Sequence, residues 1–258
     1  MTDETNSKFL IPERRSIIIA IDDYVSSQEI IETTRRLKGV GGYKVGAVPI
    51  LQIGTVSAQK AFRKRNWVGG KPVIYDHQKA GTDTPYTAEG VIRSLYFFGG
   101  RTFADAVILF PLAGAETERA WIRAARDRGL GVIVGGLMSH PGFLASEGGF
   151  IADDKVREMY RIAIEEGVRE FVIPAPIKRL HLAGQMGILD DIQDVEDSVF
   201  YAVGIGPQGG SIEQVGQVLG KDARWHAIIG RGITDEKSTG MRMEDAAKMY
   251  IDQMNSLD

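Results

Sequence analysis

Val73-Ile74-Tyr75-Asp76-His77-Gln78-Lys79-Ala80-Gly81-Thr82-Asp83 begins as a short apolar, β-prone run and ends in polar residues around a glycine. That is the profile of a buried strand opening into a loop. At that edge stand two carboxylates, Asp76 and Asp83, with the ammonium of Lys79 between them. Like charges so close repel unless a cation lies between them or a substrate needs them there. A solvated ion-pair loop would account for an isolated D-x-x-K. The choice depends on whether other strands of the chain deliver charge to the same end.

They do. Residues 16–22 form a continuous apolar run ending in Asp22 and Asp23, as in a strand buried on both faces of a parallel sheet. Residues 42–45 make a second short strand that carries Lys44, and the third spans 72–75. Further strands are expected at 105–110, 131–134, 170–173, 198–203 and 225–229. Helical patterns fall between them. One runs from a cap at Ser26 or Ser27 to about Lys38; others cover roughly 49–65, 87–98 and 116–128. A helix capped by Asp153 or Asp154 follows the long loop 135–152 and reaches Glu166. Residues 174–189, with Lys178, Arg179 and His181, are expected to hold a short helix at best. Helices at 212–219 and 243–254 complete the series.

Eight strands alternating with helices call for a single-domain α/β fold, a closed parallel (β/α)8 TIM barrel, more than for a doubly wound open sheet. Residues 16–258 form that domain. Residues 1–15 read as a flexible N-terminal tail, in which Pro12 disfavours helix.

Composition narrows the chemistry. The chain has 258 residues, a size ordinary for one such barrel, and a net charge of −3, which gives no reason to expect nucleic-acid binding. With no cysteine, thiolate nucleophiles, iron–sulfur clusters and cysteine-based zinc sites are excluded. Four scattered histidines and no HExxH pair argue against a dedicated metal site. No apolar run is long enough to span a membrane, and residues 1–15 lack a signal-peptide core, so a cytoplasmic location is expected.

In a barrel of this kind the loops that follow the strands open on one face. Asp22, Lys44, Asp76, Lys79, Asp83, Ser139, Gln208 and Arg231 all fall at the carboxyl ends of strands or just beyond. Charges scattered by chance would not select one end. Gly204-Ile-Gly-Pro-Gln-Gly-Gly210 and Gly230-Arg231-Gly232 follow strands seven and eight, where barrels commonly hold a phosphate on backbone amides. Tight turning alone would explain either glycine run. The pair together, with Gln208 as an amide donor and Arg231 as a bidentate one, favours a phosphate ligand, with Gly209 and Gly230 approaching it closely. Ser139 could read the edge of a planar ligand. His140 reads as a turn residue, His77 and His226 as structural, and Phe97, Phe98, Met241 and Met243 as packing.

These motifs together resemble the orotidine 5′-phosphate decarboxylase family from Ile17 to about the last helix. Asp22 ending strand one, Lys44 in Tyr-Lys-Val-Gly, Met138-Ser-His-Pro-Gly142 after strand five and the two glycine loops are similar to the family's pattern. The central stretch departs from it. The family usually shows D-x-K-x-x-D, whereas this chain has D-x-x-K-x-x-x-D, one extra residue in each gap. Along a strand, i and i+2 point the same way and i and i+3 do not. Asp76 and Lys79 therefore share a pocket only if a bulge or bend lies between them. The alternative puts His77 at the position facing Lys79. The bulge is preferred, because the family chemistry needs a carboxylate there.

The resemblance implies decarboxylation of orotidine 5′-phosphate to UMP with no metal or organic cofactor. It implies that Lys79 protonates the C6 carbanion and that Asp76 lies against the substrate carboxylate. Lys44 would pair with Asp76, and Asp22 would bind a ribose hydroxyl. Asp83 and Thr87 would reach the neighbouring subunit's site, making a homodimer with shared active sites. Gln208 and Arg231, with Gly209 and Gly230, would hold the phosphate, and Ser139 would contact the substrate. Two rivals remain. One is a Mg²⁺-dependent sugar-phosphate decarboxylase or aldolase on the same barrel, which carries an acid where this chain has Lys44. The other is a catalytically inactive nucleotide-binding homologue.

Overall fold

The structure, a computed structural model, describes residues 9–22, 26–62, 68–76, 85–97 and 101–257. Eight parallel strands close into a barrel: β1 (Arg15–Ile21), β2 (Val40–Gly46), β3 (Val73–Asp76), β4 (Ala106–Leu109), β5 (Gly131–Gly135), β6 (Glu170–Pro174), β7 (Val199–Val203) and β8 (Arg224–Ile229). Neighbours in sequence are neighbours in the sheet, and closure comes from β1 against β8, in register from Arg15 opposite Trp225 to Ile19 opposite Ile229. The expected fold class is correct.

Two apolar layers follow from the alternation of side chains along each strand. Ile18, Ala20, Ile74, Ala106, Ile108, Ile133, Val172, Val199, Tyr201 and Ile228 fill the barrel interior. Ile17, Ile19, Tyr43, Val73, Phe200, Trp225 and Ile229 point outward and pack beneath the helices. Because Ile74 is inward and Val73 and Tyr75 are outward, Asp76 is an interior residue at the carboxyl end of β3. Lys44, between outward Tyr43 and Val45, is interior by the same parity.

The helices are α1 (Ser27–Thr34), α2 (Ala47–Phe62), α3 (Pro85–Ser94), α4 (Ala115–Arg126), α5 (Asp153–Glu165), α6 (Ile177–Gln185), α7 (Ile188–Gln193), α8 (Ile212–Leu219), α9 (Arg231–Thr234), α10 (Glu236–Thr239) and α11 (Met243–Asn255). Several differ from expectation for identifiable reasons. Ser26 stands at the cap position of α1, but its side chain does not cap the helix. That helix stops at Thr34 rather than Lys38. There the Thr34 hydroxyl bonds the Ile30 carbonyl and the Tyr43 hydroxyl, and Gly39, at φ 94°, turns the chain into β2. Gly54, at φ 71° and ψ 158°, breaks α2 in two. Nothing would obstruct a Cβ at Gly54, so it is the backbone angle that favours glycine there. The helix after β3 ends at Ser94, because Tyr96–Phe97 turn into an antiparallel pair with Arg101–Thr102.

Ala152, not an aspartate, occupies the cap position of α5; the Asp153 carboxylate instead accepts from the backbone and hydroxyl of Ser146. Between β6 and β7, where little helix was expected, lie α6 and α7, separated by Gly187 at φ 71°. Burial of Leu180, Ala183, Ile188 and Ile192 supports more helix than the single short one expected there.

The N-terminal stretch also differs where it is described. Ile11, assigned to the tail, is fully buried in the interior cluster. The carbonyls of Pro12 and Glu13 accept from the Arg224 guanidinium, which stacks 3.8 Å over the ring of Phe9. Residues 9–14 thus plug the amino-terminal end of the barrel. A buried polar layer lies just inside: His226 Nδ1 and the Ser16 hydroxyl are 2.8 Å apart, and the Tyr201 hydroxyl donates to Glu170. Burial drives the His226 pKa down to about 3, which agrees with a structural rather than a ligating histidine.

Candidate active site

The carboxyl-terminal rim of β1, β2 and β3 carries a charged triad. Lys44 Nζ lies 3.0 Å from Asp76 Oδ2 and 3.2 Å from Asp22 Oδ1. The strands set this arrangement: Ala20 pairs with Lys44 across β1 and β2, and Gly46 pairs with Asp76 across β2 and β3. The side chains of Lys44 and Asp76 are only 10 % and 9 % exposed, whereas that of Asp22 is 62 % exposed, so the triad runs from a dry interior to an open mouth. Burial alone would lower the Lys44 pKa. The Asp76 and Asp22 charges outweigh it and raise the pKa above the ordinary lysine value, so the ammonium stays charged.

Asp76 is not satisfied by this pairing. Its second oxygen, Oδ1, is buried and has no partner among the described residues. An ionised carboxylate oxygen left so is costly, and its presence points to a further donor or charge at this spot. The stretch that follows, with His77, Lys79 and Asp83, lies outside the described residues. So does any bulge between Asp76 and Lys79. Thr87 is partly exposed in the first turn of α3.

Across the mouth, the Ser139 hydroxyl donates to Gln208 Oε1 at 2.8 Å, linking the loops after β5 and β7. With its oxygen so engaged, Gln208 has its amide N–H groups left to donate. Gly204, Gly206 and Gly209 all have φ between 83° and 89°, and the loop is closed by its own amides. Gly209 N–H donates to the Gly206 carbonyl at 2.8 Å, and Gly210 N–H to that of Gly204 at 3.0 Å. The Gly209 amide, expected to face a phosphate, is therefore committed inside the loop. Arg231 opens α9 and is exposed. A Cβ on Gly230 would come within 3.0 Å of Asp22 Oδ2, which ties the β8 turn to the charged triad.

Residues the sequence reading passed over support these loops. Tyr160 of α5 accepts through its hydroxyl from the amides of Gly136 and Leu137, at 3.0 and 3.2 Å, and donates to the Val172 carbonyl at 2.8 Å. Arg179, read only as one of the basic residues of 174–189, is buried. It donates to the Met138 carbonyl at 3.0 Å and pairs with Glu147. The one sequence signal for Tyr160 was periodicity: Val156, Tyr160 and Ala163 form a helical stripe. Among the described residues, no group of three His, Asp or Glu is arranged to hold a metal ion. No helix among them is long and apolar enough to cross a membrane.

A closed (β/α)8 barrel that gathers an Asp–Lys–Asp triad and two glycine-rich loops at its carboxyl-terminal mouth has the layout of a barrel enzyme. The model of the orotidine 5′-phosphate decarboxylase / HUMPS family matches residues 15–245. The chain belongs to that family and, with it, to the carbon–carbon lyases. It is 25% identical over 241 residues to an orotidine 5′-phosphate decarboxylase of Methanococcus maripaludis, covering 92% of this chain and 96% of the relative. It is 26% identical over 243 residues to that of Methanocaldococcus jannaschii, covering 93% and 98%. Among solved structures, the M. jannaschii decarboxylase complexed with the inhibitor BMP superposes with a TM-score of 0.72 at 24% identity, covering 93% of this chain and 99% of the other. The Pyrococcus horikoshii OT3 decarboxylase gives 0.66 at 24%, with the same coverage.

Proposed function

We propose that the chain decarboxylates orotidine 5′-phosphate to UMP, as a carboxy-lyase of pyrimidine biosynthesis that uses no metal or organic cofactor. The bond from C6 to the carboxylate breaks, CO₂ leaves, and the electron pair stays on C6. Lys79 then delivers a proton from its ammonium to that carbon. The carbanion has no conventional electron sink, so fixed charge close by must stabilise it. The observation that carries this reading is the half-satisfied, buried Asp76. One oxygen is held by Lys44, and the other, without a partner among the described residues, is placed to take a second ammonium.

In this reading Asp76 keeps Lys79 protonated and lies beside the substrate carboxylate. Lys44 and Asp22 address the ribose. Asp83 and Thr87 enter the partner's site in a homodimer. Gln208, Arg231 and Gly230 hold the 5′-phosphate with Gly209 as part of the loop, and Ser139 orients Gln208. Phosphate binding at this unreactive end contributes to turnover by fixing the closed site. Lys44 also separates this reading from a Mg²⁺-dependent sister enzyme, because a lysine ends β2 where a metal ligand would need to be acidic. A cytoplasmic location goes with the pathway.

The test is a turnover assay that follows the loss of orotidine 5′-phosphate absorbance, in wild type and in Lys79→Ala. Wild type is expected to turn over with or without EDTA; Lys79→Ala is expected to lose turnover while still binding UMP. Decarboxylation surviving in Lys79→Ala would remove Lys79 as the acid. Loss of wild-type activity in EDTA would favour the metal-dependent sister reaction.

A further inference from the structure

The two loops assigned to the phosphate meet at a residue from neither. Tyr250 lies on α11, which packs against β1, α8 and α9, and it is 8 % exposed. A Cβ built on Gly206 would come 2.7 Å from the Tyr250 hydroxyl oxygen and 3.6 Å from Gly232 Cα. One built on Gly232 would also come 2.7 Å from that oxygen. The phenol tip and the two glycine backbones therefore converge on one point. Gly206 is two residues before Gln208, and Gly232 directly follows Arg231.

We propose that Tyr250 is a positioning residue of the phosphate grip, resting on the function given above. Its hydroxyl is the spacer against which the β7 loop and the β8 turn both seat, so that Gln208 and Arg231 face the same phosphate. It touches no part of the substrate. An ordinary core tyrosine would stabilise the barrel without regard to ligand; a spacer between these two loops acts on the phosphate alone. At both contact points a side chain would press into the space the hydroxyl holds, so the hydroxyl would have to shift. Gly206 is also held at φ 83°, where any L side chain is strained. Gly232 is not among the positive-φ glycines, so a Cβ there adds no backbone strain; it meets the hydroxyl most closely, with Ile229 Cγ2 next at 3.2 Å.

The experiment compares inhibition by UMP and by uridine in purified, folded variants, alongside orotidine 5′-phosphate kinetics. Tyr250→Leu, which withdraws the tip, is expected to weaken UMP by roughly tenfold or more, the size of one charged phosphate contact, and to leave uridine nearly unchanged. KM for orotidine 5′-phosphate should rise more than kcat falls. Gly232→Ala is expected to weaken UMP selectively in the same way, and Gly232→Ala/Tyr250→Phe to regain most of that loss because the clashing oxygen is gone. These two variants decide the matter should Tyr250→Leu fail to fold. Equal losses of UMP and uridine, no loss of either, or failure of the phenylalanine to rescue Gly232→Ala would each overturn the assignment while leaving the decarboxylase reading intact. A wild type that prefers UMP no more than uridine and turns over no orotidine 5′-phosphate would sink that reading, and the spacer with it.

Discussion

Lys44 is held where an ammonium has little water, between a buried carboxylate and an exposed one. Removing it strands Asp76, so Lys44→Met is expected to cost about 3–5 kcal/mol in urea unfolding near neutral pH. Adding Asp76→Asn should recover much of that stability without restoring activity, because the methionine leaves no charge to be matched. The sign of the pH dependence follows from the raised pKa. The folded state holds the Lys44 proton more tightly than the unfolded one. The stabilisation is therefore complete below the ordinary lysine pKa and disappears as pH climbs through the folded value. Across the same mouth, Arg231→Ala removes an exposed guanidinium and should leave folding intact. The expected loss in kcat/KM is about 2–3 kcal/mol, the size of a hydrogen bond to a charged group. Normal kcat/KM in that variant would place the phosphate elsewhere. At this scale the sequence put Asp22, Lys44 and Asp76 at strand ends, because strand ends can be read from apolar runs, and the structure brings those three together. The sequence did not tell which way Asp76 points, which needed the inward and outward partners on β3, nor that the Gly209 amide is spent closing its own loop.

The strands were legible as elements because most are apolar on both faces, and few other structures bury such runs. The helices were less so. Local cues favoured serine and aspartate caps on α1 and α5 and little helix in α6 and α7, and packing or a competing hydrogen bond decided otherwise. α4 shows packing winning over charge. Glu118 is buried on it, with Oε1 unpartnered among the described residues, and burial pushes its pKa up to about 8. A carboxyl with a raised folded pKa stabilises the fold fully below its unfolded value, near 4.5, and loses that contribution as pH rises to about 8. Each pH unit across this window costs at most about 1.4 kcal/mol. Glu118→Gln should match wild type near pH 4.5 and exceed its melting temperature at pH 8. Parallel melting curves for the two proteins across that range would mean that Glu118 is not protonated in the fold.

The whole barrel is sealed at one end by residues 9–14 and open at the other, where the charges lie. The number and order of the barrel strands were visible in the sequence, because each strand announces its own loop. The plug was not, since its contacts are with Arg224, more than two hundred positions away in the chain. The open side also carries the feature that bears on assembly. Val48, Leu51 and Val56 project from α2 into solvent, and Leu51 is 80 % exposed. Apolar side chains exposed on a surface invite cover, and a two-fold contact covers the same patch on both copies. If that contact is the dimer that lends Asp83 and Thr87 to the neighbouring site, interface and activity are inseparable. Leu51→Glu, a change on the surface with no effect on the barrel core, is then expected to shift the protein to monomers in light scattering. Its activity per subunit should fall and partly recover as protein concentration is raised, because association restores the missing groups. A Leu51→Glu protein that remains dimeric with full activity would move the interface off α2, and one that is monomeric yet fully active would show that each barrel completes its own site.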